Sequence, residues 1–174
     1  MDFALSAIGR DRPGIVAAIS GALLELGGNV DDSQMSILHG HFAVMLIVSV
    51  PDEVSRDALE ERLGAVATEL DLEGYAVSEL TGLSPAPPPT HVLTVYGADH
   101  PGIVHAVATA LADRGANISD LKTRRTGEGA DAVYVMVMEV SVGGDPAELT
   151  TALAEVAKSS AVEVSLRALD SEAL

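Results

Sequence analysis

The chain has 174 residues, with 10 basic against 26 acidic side chains, a formal net charge of −16 and a pI near 4.4. A surface this acidic repels phosphates, so neither direct nucleic-acid binding nor docking on an anionic membrane is expected. There is no cysteine, which excludes disulfides, thiolate catalysis, Cys-ligated zinc and iron–sulfur clusters.

Hydrophobic residues make up 48% of the chain but aromatics only 3%, so the predicted core is aliphatic. The first predicted element is a strand, Phe3 to Ile8, broken by Gly9 to Arg12. A helix is predicted from about Pro13 to Leu26. Proline is tolerated at its start because the missing N–H has no intrahelical partner. Ile15, Ile19, Ala22, Leu23 and Leu26 recur at helical spacing, and Gly27-Gly28 ends the run. A second strand runs from Asn29 and Val30 to Leu38, with a turn at His39-Gly40-His41. Phe42 to Val50 is a third strand, stopped by Pro51-Asp52. A second helix covers about Ser55 to Leu70, with Ala58, Leu59, Leu63, Val66, Ala67 and Leu70 apolar, and Tyr75 to Leu80 closes the set.

The same order then returns. Val92 to Tyr96 is a strand and Pro101 to Arg114 a helix. Ile118 to Thr126 and Ala132 to Val142 form a hairpin around Gly127-Glu128-Gly129. Pro146 to Lys158 is a helix and Val162 to Leu169 the last strand. The return is a duplication. LSAIGRDRPGIVAAISGALLELGGNVDD, from Leu5, aligns without gaps on LTVYGADHPGIVHAVATALADRGANISD, from Leu93. Pro101 − Pro13 and Asn117 − Asn29 both give an offset of 88. Between the copies Ser84-Pro85-Ala86-Pro87-Pro88-Pro89-Thr90 favours extended polyproline II and reads as a spacer. The expected division is a first domain over 1–82, a Pro-rich linker over 83–90 and a second domain over 91–174. The expected class is α+β: two ferredoxin-like βαββαβ domains, each an antiparallel sheet with helices on one face. Phe42 to Val50 is apolar at both parities, as is the stretch holding Tyr134, Val135, Met136, Val137 and Met138. Helices cover one face only, so the other predicts a partner, either another domain or another chain.

The chemistry-bearing segment is the corner between first strand and first helix, Gly9-Arg10-Asp11-Arg12-Pro13-Gly14-Ile15-Val16, repeated as Gly97-Ala98-Asp99-His100-Pro101-Gly102-Ile103-Val104. A helix N-terminus offers free amides and partial positive charge to a carboxylate. Gly14 and Gly102 lack a Cβ, so a ligand can approach the backbone. Asp11 and Asp99 can accept from an ammonium group, and Asn29 and Asn117 offer a donor and an acceptor. Equally, an aspartate before a helix is a favoured cap, Pro-Gly a tight turn and Asn an adaptable loop residue. From the residues alone both readings stand.

A strand, then D-x-P-G-[IV]-[VL], a helix, G-x-N-[IV] and a βαβ remainder resemble the ACT domain, a regulatory amino-acid-binding module, over nearly the whole chain. With Asn29-Val30-Asp31-Asp32-Ser33-Gln34-Met35 and Phe42-Ala43-Val44-Met45-Leu46-Ile47-Val48, the tandem is similar to the glycine cleavage system transcriptional repressor family. The resemblance implies a regulator rather than an enzyme, working without a cofactor through a DNA-binding protein partner. It implies a small amino acid as ligand, glycine or serine first, held between domains. Its carried-over contacts are Asp11, Arg12, Pro13, Gly14, Ile15, Asn29 and Val30, with Asp99, His100, Pro101, Gly102, Ile103, Asn117 and Ile118. Arg12 against His100, and Ala17 against His105, distinguish the copies. A homodimer is expected.

Other groupings carry less. His39 and His41 sit two apart, a spacing that allows a shared metal, but no third ligand is evident and a polar hairpin tip explains them. His105 reads as a surface residue, and Lys122, Arg124 and Arg125 as a solvated strand face. Met1-Asp2-Phe3 shows no secretion signal, and Phe42 to Val50 is too short to cross a bilayer, so a cytoplasmic location is expected. Two further functions stay open: an amino-acid-binding dimerisation module that regulates a metabolic enzyme, and a small enzyme of unknown class.

Overall fold

The computed structural model describes residues 1–82, 86–127 and 132–169. The chain divides into two compact units, Met1–Ser84 and Pro85–Leu174. In the first, β1 (Asp2–Arg10), α1 (Ile15–Glu25), β2 (Asn29–Leu38), β3 (His41–Ser49), α2 (Arg56–Glu69) and β4 (Gly74–Glu79) follow one another. In the second, β5 (His91–Ala98), α3 (Ile103–Ala112), β6 (Asn117–Thr126), β7 (Val133–Ser141), α4 (Pro146–Ser159) and β8 (Val162–Ala168) repeat the order. The sheets are ordered β2-β3-β1-β4 and β6-β7-β5-β8, with antiparallel pairing throughout. The βαββαβ ferredoxin-like fold is therefore present twice.

Alternation along the central strands decides which face is covered. Phe3, Leu5 and Ala7 of β1 and Phe42, Val44, Leu46 and Val48 of β3 are buried beneath Ile15, Ile19 and Leu23 of α1 and Leu59, Leu63 and Val66 of α2. Leu93, Val95, Met136, Met138 and Val140 play that part in the second unit, with Ile103, Val107, Leu111, Leu149 and Leu153. The open faces carry the other parity. Ile8, Leu38 and Met45 are exposed in the first unit, as are Tyr96 and Val137 in the second.

β1 continues two residues past the expected break and ends at Arg10, because Gly9 and Arg10 still pair with Phe42 and His41. Gly9 is needed there for closeness: a Cβ would stand 3.2 Å from the Cα of Leu72. Gly97 meets Val162 in the same way. The β2–β3 turn is shorter than expected. Only His39 and Gly40 lie outside the strands, at φ 50° and 80°, while His41 belongs to β3. Two consecutive positive φ angles suit the right-handed twist of a tight hairpin. Of the expected Gly127-Glu128-Gly129 turn, Glu128 and Gly129 lie outside the described residues, as does part of the expected linker.

Candidate functional site

Each first helix starts differently from each second helix. Ser55 caps α2 through its hydroxyl, 3.2 Å from the amide of Ala58, and Asp145 caps α4 at 2.8 Å from the amide of Ala147. No side chain caps α1 or α3. Their N-caps are Gly14 and Gly102, both at φ 100°, a left-handed conformation that a side chain makes costly. The expectation that Asp11 and Asp99 could serve as caps fails. Pro13-Gly14 and Pro101-Gly102 insert a turn that moves the helix start beyond the aspartates' reach. Bare amides at an exposed helix start keep their partial positive charge for an anion from outside.

Ile15 and Ile103 are 2% exposed, so their side chains belong to the cores. Asp11, Arg12, Pro13 and Gly14 are all exposed, and the amide of Asp11 donates to the carbonyl of Gly40 at 2.9 Å, tying the corner to the hairpin tip. Asp11 makes no ion pair among the described residues.

The second corner is occupied by its own side chains. The Nε of Arg125 lies 3.2 Å from Oδ2 of Asp99. His100 places Nε2 2.6 Å from the carbonyl oxygen of Ser160 and Nδ1 3.0 Å from that of Pro101. These carbonyls, Pro101 first, raise the His100 pKa above its ordinary value, because only the imidazolium can donate to both. Tyr134 stands across the sheet from Arg125, and burial raises its phenol while a hydrogen bond with Thr123 acts the other way. Pro101 and Gly102 are exposed, as in the first copy.

The asparagines lie elsewhere. Asn29 pairs with Ser49, which pairs with Asp2 at the start of β1, whereas the Asp11 corner follows Arg10 at its end. At the rise of an extended strand those ends are about 27 Å apart. Within one unit, the structure does not bring Asn29 and Val30 to the corner, nor Asn117 and Ile118 to theirs. Asn29 donates to Asp31 at 2.8 Å. Val30 is at the surface, while Ile118 packs against the second core.

Sequence reasoning missed Arg125, which lies 26 positions from Asp99 (125 − 99) and is read as a solvated charge. It also missed a cleft of about 250 Å³ between α1 and the β2–β3 side of the first sheet, lined by Val16, Ile19, Val30, Ser33, Val44 and Leu46. No local signal marks the cleft, since each residue type suits an ordinary core. His105 is exposed. His39 occupies the turn, and His41 lies 3.7 Å from Glu73. Among the described residues, no three His, Cys, Asp or Glu side chains gather as a metal site would need. No helix among them is long and apolar enough to cross a membrane.

Comparison with known proteins agrees with this fold. ACT-domain family profiles match residues 2–75 and 91–158. A UPF0237 protein of Methanopyrus kandleri is 37% identical over 70 residues, 40% of this chain and 78% of that protein. The glycine cleavage system transcriptional repressor of Escherichia coli is 30% identical over 122 residues, 69% of this chain and 63% of the repressor. A crystal structure of a protein of unknown function from Galdieria sulphuraria superposes with a TM-score of 0.77 at 29% identity, covering 97% of this chain and 98% of the other. The chain belongs to the ACT-domain family and carries two ACT domains in tandem.

Proposed function

We propose that this chain is an amino-acid-sensing regulator that acts by protein contact, through a transcriptional regulator of glycine or one-carbon metabolism. The observation that carries this reading is α1, left bare at its N-terminus behind Asp11, which has no ion pair among the described residues, whereas α2 and α4 are capped. An α-amino acid has the complementary charges: its carboxylate meets the amides and its ammonium the aspartate. The likeness to the repressor supports the choice of pathway, and the excess of acidic over basic residues supports action through a partner rather than on DNA directly. Glycine and serine are the first effectors to try.

The exposed edge of the first sheet supports a homodimer. β2 is exposed along all ten residues and shows Val30, Met35, Ile37 and Leu38 to solvent. An unprotected edge of this length invites a second strand. β2 runs parallel to β1, since both are antiparallel to β3. Antiparallel pairing of β2 with β2 of a second chain would therefore bring Asn29 of one chain to the Asp11 end of the other. The asparagine and the corner, about 27 Å apart within one unit, would then serve one ligand.

The experiment is a melting panel of the full chain with each common amino acid. A specific ligand at a hundred times its Kd stabilises by about 2.7 kcal/mol, a readable rise in Tm. A rise with one or two amino acids supports the sensing reading. An unchanged Tm with every amino acid at millimolar concentration contradicts it.

A further inference from the structure

We infer that the two ACT domains are not equivalent: the first accepts the ligand, an amino acid with a small aliphatic side chain, and the second is closed by its own residues. The inference rests on the sensing reading above and sets a branched aliphatic amino acid ahead of glycine and serine.

Two differences between the copies point the same way. The first is electrostatic. Asp11 has no ion pair among the described residues, whereas Asp99 is held by Arg125 at 3.2 Å. At the position of Arg125 the first copy has Ile37, at the same offset of 88. His100 is also tied to Ser160 at 2.6 Å, while its counterpart Arg12 is exposed. An incoming ammonium group finds a free carboxylate in one copy and has to displace a guanidinium in the other.

The second difference is one of volume. The cleft of about 250 Å³ opens along the first turns of α1, with Val16 two residues beyond the bare N-cap Gly14. In the hairpin register, Val44 and Leu46 correspond to Met136 and Met138, because Val48 and Val140 pair with Val30 and Ile118. Both methionines are fully buried, and Ser33 and Val30 give way to Leu121 and Ile118. The second copy thus sets longer aliphatic side chains where the first leaves room. A cleft of about 250 Å³ has room for a side chain of a few carbons. Contact with Val16, Ile19, Val44 and Leu46 favours a branched aliphatic group over glycine, which has nothing to place there.

The test is calorimetric titration of the full chain with L-valine, L-leucine, L-serine and glycine, repeated on Val44→Met, Asp11→Asn and Asp99→Asn. Val44→Met copies the longer residue that the second domain holds at this place, Met136, and Asp11→Asn is a surface change that keeps the core intact. The expected result is one site per chain, with valine or leucine bound more tightly than glycine. A change of one methylene-sized group in an apolar pocket is worth roughly 10- to 200-fold. Val44→Met, by filling the cleft, and Asp11→Asn, by removing the charge that meets the ammonium, should each weaken binding by at least about tenfold, and Asp99→Asn should leave it within about twofold. Two equal sites per chain, loss on Asp99→Asn, or glycine binding indifferent to Val44→Met would overturn the inference and leave amino-acid sensing standing. Absence of heat with all four ligands, together with an unchanged Tm in the panel, would remove both.

Discussion

Arg125 and Asp99 form an ion pair, Nε to Oδ2 at 3.2 Å, that joins the end of β6 to the corner before α3. The guanidinium is 57% exposed and the carboxylate 35%. Exposed pairs of this kind contribute about 0–1 kcal/mol and weaken with salt. Arg125→Ala should therefore lower stability by less than about 1 kcal/mol. A urea melt at low and high salt checks this, with the difference from the parent chain shrinking as salt rises. A loss several times larger would mean that the pair is structural.

The His100 contacts predict a pH dependence with a definite sign. Two carbonyl acceptors raise its folded pKa above the ordinary 6.5. A raised histidine stabilises fully below its unfolded value and loses that contribution as pH climbs through the folded value. Melting of the parent chain should fall over that window relative to His100→Phe, which has no proton to lose. Asp99 is the charged neighbour that also favours the imidazolium, so Asp99→Asn should shift the window towards lower pH. Identical pH profiles for parent and His100→Phe would contradict the assignment.

Gly14→Ala isolates the backbone requirement. A Cβ at this position meets nothing within 4 Å, so its cost comes from φ 100° and not from crowding. The left-handed region costs a non-glycine residue about 1–2 kcal/mol. Chemical denaturation should show that loss, and Gly21→Ala, inside α1 with equally open space, should be neutral or slightly stabilising. Equal effects at both positions would mean that Gly14 does not need its left-handed conformation.

The β2 edge gives a prediction about assembly. Met35→Lys with Ile37→Lys places two charges on a strand that is otherwise apolar at these positions. Edge lysines discourage strand pairing. Sedimentation equilibrium should show a dimer for the parent chain and a monomer for the double variant. A monomeric parent would remove the proposed β2–β2 interface.

The repeat was the most legible part of the sequence. From the first strand to the end of the second, the Pro-Gly corner, the glycine after the first helix and the aliphatic spacing recur at an offset of 88, and each local signal agrees with the next. What escaped was whatever depends on residues distant in sequence. Nothing near Asp99 announces Arg125, because the contact needs β6 paired to β7 and β7 to β5. His100 suggested a ligand contact, yet the tight α4 C-terminus brings the Ser160 carbonyl to it first. The cleft beside α1 is lined by side chains that differ from their counterparts, Val44 against Met136 and Leu46 against Met138, and hydrophobic pattern does not register such differences. Asn29 and Asp11 looked like parts of one site because both belong to one motif, but strand direction puts them at opposite ends of the sheet.

The central claim is that the uncapped start of α1 receives the carboxylate of an amino acid. Backbone amide chemical shifts of the isotopically labelled full chain, followed while the tightest ligand from the melting panel is titrated, test it most directly. The amides of Ile15 and Val16 should move together and saturate with the binding curve, while those of Ile103 and Val104 stay in place. Saturable binding that leaves Ile15 and Val16 unmoved would contradict it.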